Sequence, residues 1–226
     1  MNSSSDQFWH DVRGIVFDFD GTLANCPYDF QVMREKLYEI ADRWGVPRAE
    51  LEQHYLLEGI KHGAELLSAD PERAEAFRMQ AEEMLQHQEL RDAQQAYLLP
   101  GAVEATRRLH QAGIKIGIIT RNCRPVIKQV IGTSGLVYDA CLTREDVTRV
   151  KPDREHLALA LAQIGVKAEQ ALMVGDHGMD MRVGRELGMR TVGVLTGHAS
   201  AQELLDAGGE VILAGVKELA DRLCDA

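Results

Sequence analysis

The sequence predicts an α/β fold: a doubly wound parallel sheet with an all-helical domain inserted after its first strand. Three observations predict it. Short apolar runs rich in Ile, Val and Leu recur at 15–17, 114–120, 171–175 and 191–195, with helical patterns between them, the signature of a parallel sheet covered by helices. The first three runs each give way to polar or charged residues where the strand would end. The first two runs are separated by a long stretch, 27–96, that carries only helical periodicity.

The opening run, Ile15, Val16 and Phe17, suits a buried strand and delivers Asp18, Asp20, Gly21 and Thr22. Two carboxylates at the end of a buried strand need a countercharge, and a divalent cation supplies one. Gly21 permits a tight turn and close approach of backbone N–H groups to an anion. After a connector at 23–27, Phe30, Met33, Leu37, Ile40 and Trp44 recur at helical spacing, with Gly45 and Pro47 as stop signals. A second helix is predicted over 49–67. A third begins at Asp70-Pro71, an N-cap followed by proline at the first helical position, and continues through Ala74, Phe77, Ala81, Met84 and Leu85.

From 98 onward strands and helices alternate. A loop at 98–101 leads to a helix over 103–112, a strand over 114–120 and a short helix over 124–131. A strand over 138–142 and a helix over 152–164 follow. Then come a strand over 171–175, a helix over 179–187, a strand over 191–195, a helix over 201–205, a short strand over 211–213 and a last helix over 216–223. A crossover between parallel strands needs about a dozen residues or somewhat more; the first two strands are far further apart. The excess is read as an inserted domain, giving a core of 1–22 and 98–226 and a helical domain of 23–97. Since the insert follows the Asp-rich turn, it is expected above the carboxyl ends of the strands, where open α/β sheets bind ligands.

Composition bounds the function. The formal net charge is −10 over 226 residues, with Lys and Arg scattered; this argues against nucleic acid or an anionic membrane as partner. The start, 1–10, is polar and Ser-rich with no apolar core of signal-peptide length, and no run reaches the length of a membrane helix. A cytoplasmic protein is expected. Cys26, Cys123, Cys141 and Cys224 form no CxxC pair, so free structural thiols are expected, not a zinc site or disulfides.

The polar clusters share one property. Asp18 and Asp20 follow the first strand, Thr120, Arg121 and Asn122 the second, and Asp176 and Asp180 the strand at 171–175; Lys151 opens the helix before that strand. Strands of a parallel sheet point one way, so the strand-end clusters converge on one edge. Singly, each residue also suits a cap, a turn or a solvated surface; their joint appearance in this order does not.

The set DFDGT, Thr120, Lys151-Pro152 and GDHGMD resembles the four motifs of the haloacid-dehalogenase-like hydrolase superfamily, and more narrowly its phosphoglycolate-phosphatase-like group with a helical cap. The resemblance spans nearly the whole chain and includes the segment LLPGAVEATRRLHQAGIKIGIITRN after the insert. Arg121 departs from it, standing where Asn commonly follows the Thr, as does His177, standing where a small hydroxyl residue is common. The resemblance implies a Rossmann-like core and a Mg²⁺-dependent phosphatase acting on a small phosphomonoester. Asp18 would be the nucleophile that forms an aspartyl-phosphate, and Asp20 the acid and base that serves the leaving alcohol and then water. Mg²⁺ would be held by Asp18, the Asp20 carbonyl and Asp176, with Asp180 in support. Gly21, Thr22, Thr120, Arg121, Asn122 and Lys151 would line the phosphoryl group, Thr120 and Lys151 taking part in the chemistry. The helical cap would exclude water and choose the leaving group, with 23–27 and 98–101 as hinges.

Two alternatives stand beside this reading. A phosphomutase of the same superfamily would share the core motifs and pass the phosphoryl group to a sugar. A non-catalytic phosphate-binding protein could keep the fold. Dehalogenase chemistry is disfavoured because halide departure needs no acid, whereas Asp20 is present. The sequence leaves the natural substrate and oligomeric state open.

Overall fold

The structure is a computed structural model that describes residues 8–225; most of the polar start at 1–10, namely 1–7, lies outside the described residues. The elements in chain order are β1 (Gly14–Asp18) and β2 (Ala24–Asn25), then α1 (Phe30–Trp44), α2 (Arg48–Glu52), α3 (Leu56–Leu66) and α4 (Pro71–Asp92). β3 (Tyr97–Leu98), α5 (Ala102–Gln111), β4 (Lys115–Ile119), α6 (Arg124–Ile131) and β5 (Ala140–Leu142) come next. The chain closes with α7 (Arg154–Ile164), β6 (Ala171–Gly175), α8 (Gly178–Glu186), β7 (Arg190–Val194), α9 (Ala201–Asp206), β8 (Val211–Leu213) and α10 (Val216–Cys224). Two compact units result. One takes the described residues up to Cys26 and from Ala96 onward; the other is Pro27–Gln95.

The first unit is built on a six-stranded sheet of order β5-β4-β1-β6-β7-β8, every neighbouring pair parallel. All five residues of β1 are buried, as its apolar run requires of a central strand. Register places the strand ends together. Asp18 pairs with Ile119, so Thr120 lies one step beyond it on one side. Phe17 pairs with Val174, so Asp176 lies just past the same level on the other. Val16, Ile119, Leu142, Leu157, Ala160, Met173 and Val183 form one continuous buried cluster between the sheet and helices α7 and α8. Each fully buried Val, Leu, Ile or Met side chain among them contributes about 1.5–3 kcal/mol, which holds the strand ends in fixed register.

The second unit is all helical. Asp29 caps α1, its carboxylate accepting from the Val32 N–H at 2.9 Å, and Asp70 caps α4 with Pro71 at the first helical position. Met33, Leu37, Ile40, Leu51, Ile60, Phe77, Ala81 and Leu85 make its buried core. The stretch predicted as one helix over 49–67 is two, α2 and α3. Tyr55 takes an extended conformation and its carbonyl accepts from Gly59 N–H, starting a new helix.

Two further differences concern strands. The strand expected over 138–142 begins only at Ala140, because the Asp139 side chain takes the ladder position: its carboxylate accepts from Ile116 N–H and from Lys115, each at 2.8 Å. β2 and β3, unread in the sequence, pair antiparallel with Ala24 opposite Leu98 and Asn25 opposite Tyr97. The two chain connections to the helical unit therefore leave the first unit as a paired ribbon.

Candidate active site

The site grows from the carboxyl ends of β1, β4 and β6. Asp18 is the last residue of β1 and is buried. Its Oδ1 accepts from Phe19 N–H at 2.6 Å and lies 2.6 Å from Lys151 Nζ. Lys151 Nζ also lies 2.7 Å from Asp180 Oδ1. All three side chains are buried, so an ammonium is held between two carboxylates out of water. Asp180 Oδ2 accepts from His177 N–H at 3.2 Å. Asp176 follows β6 directly; its Oδ1 accepts from the Thr22 hydroxyl at 3.2 Å. One carboxylate oxygen from each of Asp18, Asp176 and Asp180 falls within 4.8 Å of the others. The Asp20 carboxylate is not one of this set; its Oδ1 accepts from Cys26 N–H at 3.0 Å.

Electrostatics follow from the geometry. Burial pushes the Asp18 carboxyl up from its ordinary range, and the Lys151 charge opposes that rise. Asp20 is pushed up to about 7, first by burial and then by the Asp18 charge. Asp176 is raised by burial and by Asp18, and Asp180 is raised by burial against the pull of Lys151. Burial pulls the Lys151 ammonium down, but Asp18 and Asp180 more than reverse this and hold it above its ordinary value. The carboxylates of Asp18, Asp176 and Asp180 thus share one buried ammonium. The residual negative charge is what a divalent cation with oxygen ligands neutralises.

The other predicted residues gather at the same edge. Thr120, just past β4, is buried; its N–H donates to Leu142 O at 3.0 Å and its hydroxyl accepts from Asn122 N–H at 3.1 Å. Asn122 is also buried. Arg121 is half-buried, and its Nη1 donates to the carbonyl of Lys151, so this guanidinium ties the Thr120 loop to the lysine loop. Gly21 has φ of 78°, in the left-handed region, and a Cβ there would meet the Asp176 carboxylate.

Three residues escaped the sequence reading. Thr196 and Gly197 lie just past β7. The Thr196 hydroxyl donates to Gly21 O at 2.6 Å, and a Cβ on Gly197 would run into the Asp176 carboxylate. Their position after a predicted parallel strand was the available signal. His156, on α7, is fully buried, with Nε2 at 3.2 Å from Leu142 O; a lone His in an amphipathic helix gave no signal. His177 proves to be the N-cap of α8, its Nδ1 accepting from Met179 N–H at 3.1 Å. None of the cysteines is in a disulfide. Cys123 is buried, and burial pushes the Cys141 thiol up to about 12, away from thiolate chemistry.

Comparison with known proteins agrees with this architecture. A family profile described as haloacid dehalogenase-like hydrolase matches residues 15–194. The pyrophosphatase PpaX of Bacillus velezensis is 34% identical over 45% of this chain and 48% of its own length; the chain matches about half the length of that relative. The N-acetylmuramic acid 6-phosphate phosphatase of Pseudomonas aeruginosa is 26% identical over 95% of this chain and 97% of its own. A hydrolase of Pseudomonas syringae superposes with a TM-score of 0.63 at 25% identity, covering 94% of this chain and 98% of that one. Among the described residues no helix is long and apolar enough to cross a membrane.

Proposed function

The chain belongs to the haloacid dehalogenase-like hydrolases, and from that membership we propose that it is a Mg²⁺-dependent phosphatase of small phosphomonoesters working through an aspartyl-phosphate on Asp18. One observation carries the reading: Lys151 is buried within 2.6 Å of Asp18 and 2.7 Å of Asp180, with Asp20 two residues on and pushed up to about 7. The converging, charge-rich carboxylates of Asp18, Asp176 and Asp180 fit a divalent cation. Asp18 and Asp176 would hold Mg²⁺ together with the Asp20 carbonyl, and Asp180 would support them. When bound, the cation supplies neutralising charge for the phosphoryl oxygens.

The chain's own groups then divide the work. Lys151 and the Phe19 N–H engage Asp18 Oδ1, so Oδ2 carries the lone pair that attacks phosphorus. The bond to the leaving oxygen breaks as the Asp18–phosphorus bond forms, and the displaced alkoxide takes its proton from Asp20. A carboxyl pushed up to about 7 is partly protonated at neutral pH, which suits an acid that must later accept a proton from water. Lys151 neutralises charge as a compact ammonium. Thr120, Asn122, Gly21 and Thr22 are the candidate phosphoryl contacts; Arg121 serves at least to fix the Lys151 loop through its carbonyl. The helical unit, Pro27–Gln95, is proposed as the cap that selects the leaving group. One relative matched along nearly its whole length acts, by its name, on N-acetylmuramic acid 6-phosphate, which favours a sugar phosphate over glycolate.

The test is hydrolysis of an aryl phosphate with and without Mg²⁺, beside Asp18→Asn. Metal-dependent turnover that vanishes in the variant is expected. No metal-dependent turnover, or turnover untouched by the substitution, would favour a phosphate-binding protein instead. A panel of sugar phosphates with product analysis then separates hydrolysis from transfer to a sugar.

A further inference from the structure

We propose that His156 is a positioning residue for Thr120, acting through the main-chain carbonyl of Leu142. Leu142 ends β5, the strand beside β4. Its oxygen accepts from Thr120 N–H at 3.0 Å and from His156 Nε2 at 3.2 Å. A carbonyl only accepts, so Nε2 bears the hydrogen and the ring is the Nε2–H tautomer. Both lone pairs of one oxygen are then engaged, one by the residue that opens the phosphoryl loop and the other by α7.

The histidine is not there as apolar filling. It is fully buried, and Nδ1 has no hydrogen-bond partner among the described residues. A leucine would fill comparable space without burying an unpaired nitrogen, so the imidazole is retained for what Nε2 does. Leu157, the next residue, already supplies α7 with packing against the sheet. Without the Nε2–H, the Leu142 oxygen keeps a single partner and the end of β5 can turn. The Thr120 N–H follows it, and with it the hydroxyl held by Asn122 N–H. His156 has no such link to Asp18 or Asp176, so its loss is expected to weaken phosphoryl binding and leave the chemical step nearly intact.

This rests on the phosphatase reading, in which Thr120 meets the phosphoryl group. The test compares His156→Leu, which lacks a donor, with His156→Gln, whose amide N–H can reach the same carbonyl. Three quantities are measured: kcat and KM on an aryl phosphate, inhibition by inorganic phosphate, and hydrogen exchange at the Thr120 amide. For His156→Leu, KM and the phosphate inhibition constant should rise about tenfold, the loss of roughly one hydrogen bond. Its kcat should change less than about threefold, and Thr120 exchange should quicken relative to Ile119. His156→Gln should return all of these towards wild type even where both variants melt at the same lowered temperature. If the two variants behave alike, or if only melting changes, the proposal is overturned. Should His156→Leu not fold, His156→Met serves as the donor-less variant. A wild type without turnover would sink the phosphatase reading alone, since exchange at Thr120 still decides the positioning role.

Discussion

Lys151 Nζ lies 2.6 Å from Asp18 Oδ1, with both side chains buried and Asp180 2.7 Å away on the same ammonium. Removing one partner of a buried pair costs about 3–5 kcal/mol because the other is left uncompensated. Lys151→Met is therefore expected to lower stability by about that much at neutral pH without metal, measured by chemical denaturation. Part of the loss should return near pH 5, where carboxylates already raised by burial take up protons. Turnover should fall by about 10²-fold or more. Lys151→Arg should not restore it, since a planar guanidinium cannot replace a compact ammonium between two carboxylates.

Asp20→Asn should act according to the leaving group. An alkyl phosphate needs a proton on its departing oxygen; a nitrophenyl phosphate hardly does. Loss of a general acid costs about 10²–10⁴-fold. The full loss is expected on a sugar phosphate and a much smaller one on the aryl ester in the aspartyl-phosphate-forming step, read by single-turnover kinetics. Equal losses on both would remove Asp20 from the acid role.

Gly197→Ala should weaken the cation site. A Cβ at 197 would meet the Asp176 carboxylate, a buried ligand candidate also held by Thr22. The carboxylate must give way, so Mg²⁺ affinity by calorimetry should drop about tenfold or more, in line with losses seen when ligand orientation is disturbed. Melting without metal should fall as well, because the added methyl would also lie 2.6 Å from the Asp176 Cβ. Unchanged Mg²⁺ binding would show that the 195–198 loop does not constrain Asp176.

His156 also makes an acid-stability prediction. Burial, followed by the Lys151 charge, pushes its ring down to about 4, with Asp146 and Arg121 as the other charged groups acting on it. An unfolded histidine titrates near 6.5. Between about 4 and 6.5 the unfolded chain binds a proton that the folded chain refuses, so stability rises with pH there and falls on acidification. The raised carboxylates of the site act in the opposite sense but are common to wild type and variant. The stability difference between wild type and His156→Gln should therefore change by up to about 3 kcal/mol from pH 7 to pH 4, wild type losing the more. A constant difference would mean that the ring takes up its proton as readily in the folded chain as in the unfolded one.

Much of the fold could be read because the strand ends announce themselves. Ile15 to Phe17 gives way to Asp18, and Ala171 to Gly175 gives way to Asp176; an apolar run ending on charge marks both the strand and its functional end. Parallel order then brings Asp18, Thr120 and Asp176 to one edge with no further information. What stayed hidden was carried by features without periodicity. β2 and β3 are two residues each, too short to alternate. The break between α2 and α3 comes at Gln53, His54 and Tyr55, with neither Gly nor Pro to signal it. His156 acts through another residue's main chain, and no side-chain motif records a carbonyl.

The ribbon of β2 and β3 has a consequence for how such a chain can change. Asn25 and Tyr97 are cross-strand partners, so the polypeptide exits and re-enters at neighbouring points, close enough for a tight hairpin turn to bridge. Everything between is a graft on one doorway. Asp18, Thr120, Lys151 and Asp176 all lie outside it, so evolution or an engineer can exchange the inserted module without rerouting the backbone that carries the chemistry.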